Sequence, residues 1–174
     1  MDARTETTRP VTDHALLTRI GRFLYEDAAM LDRREYASWW KTLSDDIRYR
    51  VTAKVVREAS IGNVEFALID ETAQELKQRV DQVSTPRLTH AENPPSITRR
   101  FVTNVMAEHS SAPNEFHVFS NLLVYRTTVD VAEGSLYSGG REDVLREVDG
   151  EFRLVSRVVH LDQAVMFGAI SILF

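Results

Sequence analysis

LYSGGREDVLREVDGEFRLVSRVVHL, residues 136–161, is the stretch whose reading decides the fold. Asp149-Gly150 separates two runs of strand formers, Leu136–Val148 and Glu151–Leu161. A two-residue Asp-Gly loop signals a hairpin because the turn that suits strand twist needs positive φ at both positions. Such a turn also sets a register. Val148 is predicted to face Glu151, and counting outward places Leu145 opposite Leu154 and Glu142 opposite Arg157. An apolar pair and an opposite-charge pair then fall where cross-strand contacts stabilise a sheet.

Working outward, Phe116–Val131 is a further run of strand formers, turned back at Glu133-Gly134, and a last apolar run covers Ala169–Phe174. The C-terminal third therefore reads as one antiparallel meander. Gly139-Gly140 in mid-strand predicts a bulge or a sharp coil, and hence a curved sheet.

Upstream, Leu16, Leu17, Ile20, Phe23, Leu24 and Ala28 recur at helical spacing after Thr12-Asp13, which predicts an amphipathic helix to about Met30. Asp32-Arg33-Arg34-Glu35 resembles a capping box that opens a short helix burying Tyr36, Trp39, Trp40 and Leu43, ended by Ser44-Asp45-Asp46. The period then becomes two from Ile47 to Val56, a half-buried strand. Val64–Ile69 reads as a strand or a loop after the Gly62-Asn63 turn. Asp70 is the expected cap of a third helix carrying Leu76, Val80 and Val83, stopped at Thr85-Pro86. Thr98–Ala107 returns to strand. Helices and strands are segregated, which means α+β. The expected architecture is a cone-shaped, strongly curved, mixed or antiparallel β-sheet with about three helices on its concave side. Residues 1–12 read as a flexible arm and residues 13–174 as a single domain.

The chain has 174 residues, a formal charge of −5 and no cysteine. The acidic balance argues against a nucleic-acid binder, no apolar run approaches a membrane span, and the first twelve residues do not read as a signal peptide. The cytoplasm is the expected location. Without cysteine there is no disulfide, thiol nucleophile or thiolate metal site.

The search for chemistry yields little. His14, His90, His109, His117 and His160 show no metal-ligand spacing. His109 and His117 could contribute to a non-haem iron triad only if a carboxylate met them in space. There is no Gly-x-Ser-x-Gly nucleophile turn. Asp45-Asp46 reads as solvated charge. Trp39 and Trp40 are neighbours, so one is expected inside and the other at a partner surface. One of Arg99-Arg100 is expected to point inward, or across an interface, to a carboxylate. A cone could be lined by Tyr25, Asp32, Tyr49, His117 and His160, which leaves a stand-alone dehydratase or isomerase open, and a ligand-binding module with it.

Four separated stretches carry a resemblance. They are Phe23–Asp32 followed by Tyr36 and Trp39; Glu92–Val105; Arg141–Arg146 with Phe152–Arg157; and Leu161-Asp162-Gln163 with Ile170–Phe174. Together these resemble the small (beta) subunits of aromatic-ring-hydroxylating dioxygenases. Within the second stretch, Thr103-Asn104 stands where many relatives have Ser-Asn. The resemblance implies the cone fold shared with nuclear transport factor two and scytalone dehydratase. It implies a structural, non-catalytic role with no cofactor or metal in this chain. The partners would be a large alpha subunit and further copies of this chain, in a hexamer of three alpha and three beta subunits. The alpha subunit would hold a 2Fe-2S Rieske cluster and a mononuclear non-haem Fe(II), fed from NAD(P)H through separate electron-transfer components, and the complex would add both atoms of O2 to an arene to give a cis-dihydrodiol. The family supplies no catalytic residue to carry over. Candidate assembly residues are Trp39, Trp40, Arg99, Arg100, Asn104, Glu142, Arg157 and Asp162.

Overall fold

The computed structural model describes residues 9–55, 64–85, 95–129, 133–163 and 173–174. In chain order the elements are β1 (Arg9–Pro10), α1 (His14–Asp32), α2 (Tyr36–Trp40), β2 (Leu43–Val55), β3 (Val64–Thr72), α3 (Ala73–Ser84), β4 (Ile97–His109), β5 (Glu115–Thr127), β6 (Ser135–Val148) and β7 (Glu151–Leu161). The strands form one seven-stranded sheet in the order β1-β4-β5-β6-β7-β2-β3. All neighbours are antiparallel except β2 and β7, which run parallel. This is the α+β architecture expected from the sequence.

The helices pack on one face of the sheet. On α1, Ile20, Leu24, Ala28 and Leu31 are buried, and they join Val102, Val118, Leu122, Val124, Leu145 and Leu154 from four strands in one core cluster. Side chains of α1 meet β4 through Asp32 and Arg100, β6 through Asp27 and Arg141, and β7 through Asp27 and Arg157, a reach that a coiled sheet allows. Each fully buried Leu or Ile contributes about 1.5–3 kcal/mol. Arg9–Pro10 pairs with His109 and Glu108, and Val11 is buried, so the arm expected over residues 1–12 is tied to the sheet from Arg9 onward. Gly62-Asn63 and Ile170 lie outside the described residues. Leu173 and Phe174 are buried and are not in a strand.

Several local expectations are corrected. The capping box belongs to α3, where Thr72 and Glu75 satisfy each other's backbone groups; Asp70 is still in β3. At α2 the N-cap is Glu35, with no side-chain bond. Asp32 turns instead toward β4. Ser44-Asp45-Asp46 does not end a helix but lies within β2.

The meander has the predicted turn. Asp149 and Gly150 have φ of 53° and 82°, and Val148 faces Glu151 and Leu145 faces Leu154. Beyond that point the predicted register fails. A β-bulge separates Val144/Ser156 from Leu145/Leu154, so Val155 is an extra residue on β7. Arg157 consequently pairs with Asp143, and Glu142 faces Val158. The expected Glu142–Arg157 pair does not form. The bulge is not at Gly139-Gly140, where pairing is regular on both sides. Gly139 serves close approach instead: a Cβ there would lie 2.3 Å from the His160 carbonyl oxygen.

A second bulge interrupts β4 between Thr103 and Met106. Asn104 sits at φ 54°, the left-handed conformation that asparagine tolerates better than most side chains.

Candidate functional site

The inner face of the sheet carries charge in its centre. On β6 the buried side alternates as Tyr137, Gly139, Arg141, Asp143 and Leu145. On β7 it is Phe152 and Leu154, then, after the bulge, Arg157, Val159 and Leu161. The extra residue reverses the alternation and points Arg157 inward. Asp27 lies between Leu24 and Leu31 on the buried side of α1. Asp27, Arg141, Asp143 and Arg157 are all 2% exposed or less.

Their geometry is closed. Arg157 Nε and Nη2 donate to the two Asp143 oxygens at 2.9 and 3.0 Å. Arg157 Nη1 donates to Asp27 at 3.0 and 3.2 Å and to the Phe174 main-chain oxygen at 3.1 Å. Trp39 Nε1 donates to Asp27 Oδ1 at 2.7 Å. Tyr49 Oη donates to the Phe174 main-chain oxygen at 3.1 Å and accepts from its N–H at 2.7 Å. Arg141 stands 3.2 Å from Asp143 and 3.7 Å from Asp27, without an aligned hydrogen bond.

Two carboxylates and two guanidinium groups cancel in charge. Burial works against the Arg157 charge, but Asp143 and Asp27 outweigh it and hold its pKa above the ordinary value. Burial and the neighbouring Arg157 push Arg141 the other way. Burial raises the Tyr49 phenol. General acid or base work needs a titratable group free to meet a substrate proton. Here both carboxylates accept from Arg157, and the Tyr49 hydroxyl is engaged twice. The arrangement holds a core together.

A second buried pair supports the first. Arg100 is directed inward, its backbone N–H donating to Asp32 Oδ2 at 3.0 Å. Its guanidinium bonds Asp32, Thr98 and the Leu173 carbonyl. Arg100 and Arg157 therefore hold the main-chain oxygens of Leu173 and Phe174 respectively.

The residues expected to line a catalytic cone are not brought together. Tyr49 is interior, and Tyr25 is 56% exposed. Asp32 is bound to Arg100. His117 and His160 belong to the opposite, outer face, where His160 meets Thr52 and Glu65 at 3.0 Å and Glu142 at 3.5 Å. His109 pairs with the buried Phe116, so it and His117 point to opposite faces. His90 lies outside the described residues. Among the described residues, no group of three or more His, Asp or Glu side chains could hold a metal ion. With no cysteine in the sequence, these donors do not fit a Rieske cluster or a facial iron triad.

Of the sequence candidates, Trp39, Arg100 and Arg157 are interior. Trp40 is half-buried beneath Lys77, whose Nζ stands 5.8 Å from the ring centroid. Arg99, Asn104, Glu142 and Asp162 are exposed. Asp27, Arg141 and Asp143, the rest of the cluster, were not singled out from sequence. Their signal was positional: each occupies the phase of neighbouring core residues.

Comparison with known proteins places this arrangement. The biphenyl 2,3-dioxygenase subunit beta of Rhodococcus jostii is 32% identical over 97% of this chain and 96% of its own length. A chain of naphthalene 1,2-dioxygenase superposes with a TM-score of 0.83, covering 93% of this chain and 87% of that one, at 24% identity. A scytalone dehydratase-like protein of Novosphingobium aromaticivorans shares the fold at a TM-score of 0.63 and 13% identity, over 86% of this chain and 85% of that one. No helix among the described residues is long and apolar enough to cross a membrane. The model of the ring hydroxylating beta subunit family matches residues 26–167, and the chain belongs to that family: it is a beta subunit of the aromatic-ring dioxygenases.

Proposed function

We propose that this chain is the structural, non-catalytic beta subunit of a cytoplasmic hexamer of three alpha and three beta subunits. In this reading the alpha subunits carry a Rieske cluster and a mononuclear Fe(II). Separate components deliver electrons from NAD(P)H. The complex adds both atoms of O2 to an arene, giving a cis-dihydrodiol. This chain supplies a rigid platform on which the iron-bearing subunits assemble.

The observation that carries this reading is the filled cone. In a stand-alone dehydratase of this fold the interior would have to admit substrate and present a free acid or base. Here Trp39, Tyr49, Leu145, Leu154 and Phe174 are fully buried, and the charges among them are spent on one another. Exposed Arg99, Asn104, Glu142 and Asp162, with half-buried Trp40, are the assembly candidates; buried Trp39, Arg100 and Arg157 keep the platform rigid.

Co-expression with a large-subunit partner tests it. The expected result is a complex that contains iron and oxidises an arene, while the isolated chain binds no iron and turns over nothing. Dehydratase, isomerase or oxygenase activity in the isolated chain would overturn the reading.

A further inference from the structure

We propose that the outer face of β4, β5 and β6 is the contact between copies of this chain, with Arg99 of one copy seated in a groove beside Asp162 of the next to close a ring of three. The inference rests on the beta-subunit reading above and names the surface that reading requires.

The outer face is apolar where a soluble sheet would be polar. Phe101 pairs with Leu123, and Arg99 with Tyr125, which pairs in turn with Leu136. Phe101 is 55% exposed, Leu136 56% and Ile97 51%. Contiguous exposed apolar surface of this kind marks interaction sites.

The face also has a groove of about 460 Å³. Gly140 opens it, because a Cβ there would meet nothing within 4 Å. Phe101 and Leu123 line it together with Ser138 and Asp162. Ser138 Oγ donates to Asp162 Oδ2 at 2.7 Å, which fixes the carboxylate and leaves Oδ1 without a partner among the described residues. The groove thus offers an apolar wall for an aliphatic stem and a fixed carboxylate for its cationic head.

Arg99 is the matching group. It is exposed on the same face and makes no hydrogen bond or ion pair among the described residues. It cannot reach its own Asp162. β4 and β7 are separated by β5 and β6, three strand spacings of about 4.8 Å each. Between two copies the Arg99 of one and the Asp162 groove of the other match in charge and shape. Three copies cannot pair face to face two by two. Each face must serve two neighbours, its Arg99 side against one and its groove against the other, which is the heterologous contact that closes a ring.

The test uses the full chain, with mass measured by sedimentation and native mass spectrometry. The wild type is expected to be a trimer. Arg99→Glu or Asp162→Lys alone should raise the concentration needed for the trimer about 100-fold, because each sets like charges together. The double variant R99E/D162K should restore it to within about tenfold of wild type. Gly140→Leu fills the groove without touching either charge and should also dissociate the trimer, with an unchanged circular dichroism spectrum showing that the fold is intact. A monomeric or dimeric wild type, single reversals that leave the trimer unchanged, or a double variant that fails to restore it would overturn the proposal. Co-purification with an iron-bearing large subunit separates the two readings. If wild type captures that subunit while the trimer result fails, only this contact is wrong. If wild type captures no such subunit, the proposed role as a platform for iron-bearing subunits falls.

Discussion

Consecutive residues of β6 carry the comparison that explains this molecule. Arg141 and Asp143 point into the core, and Glu142 between them points out. All three are charged, and their energetics are opposite. Inside, Asp143 and Asp27 have no water to turn to, and both depend on Arg157. Outside, Glu142 stands 3.5 Å from His160 with its side chain 53% exposed, where solvent can replace either partner. Surface pairs of that kind contribute about 0–1 kcal/mol. A buried cluster is different in kind. It adds little net stability compared with an apolar core of the same volume, yet breaking it strands a charge. Here it links α1, β6, β7 and the main chain of Phe174 in one arrangement. The inner face specifies the fold, and the outer face carries exposed apolar and charged side chains.

The largest expected effect separates the faces directly. Arg157→Met should destabilise the chain by about 3–5 kcal/mol, since Asp27 and Asp143 lose their shared partner, whereas Glu142→Gln should change stability by less than about 0.5 kcal/mol. Urea denaturation of both variants measures the contrast, and equal midpoints would erase it. The adjacent glycines sharpen the same division. Gly139→Ala forces a Cβ onto the His160 carbonyl and should cost about 1–3 kcal/mol. Gly140→Ala enters open space and should be neutral or stabilising by up to about 0.5 kcal/mol. A similar melting temperature for both would show that the close approach at Gly139 is unimportant.

The smallest expected effect is electrostatic and depends on pH. Arg146 and Ser44 hold the exposed Asp46 carboxylate below its ordinary pKa of 3.8. A depressed carboxylate stabilises the fold above its unfolded value and loses that contribution as pH falls through the folded one. Asp46→Asn should therefore cost less than about 1 kcal/mol at neutral pH. That cost should vanish below the folded-state pKa. A penalty that persists in acid would mean that Asp46 acts through packing rather than charge.

The architecture was legible because it rests on periodicity and turn chemistry. The Asp149-Gly150 hairpin, the alternating strands and the segregated helices follow from local rules that the structure obeys. The inward turn of Arg157 was not, and the reason is one residue. Val155 carries no Gly or Pro to announce a bulge. Its only trace is that the core phase shifts from Phe152 and Leu154 to Val159 and Leu161. A strict count across that slip pairs Glu142 with Arg157 and puts the arginine on the wrong face. Asn104 in mid-strand was the corresponding trace in β4, and it stood in plain view as a conformational clue. Asp27 was passed over for another reason: a carboxylate at a buried helical position is read as surface unless its partners are known. Apart from Trp39 on α2, those partners, Arg141 and Arg157, come from strands more than a hundred residues away, and no local pattern joins them to α1. Arg100 was the exception, since neighbouring arginines on one strand must point to opposite faces.

The central claim is that the titratable groups inside this cone hold the subunit together and take no part in oxidation. Tyr49→Phe tests it most directly, because it removes an interior hydroxyl that touches only the Phe174 main chain and spares the ion cluster. The measurement is arene oxidation per iron in the complex assembled with its large subunit. The account predicts turnover per iron equal to wild type, with any loss confined to the yield or stability of the complex. An intact complex with full iron content and abolished turnover would contradict it.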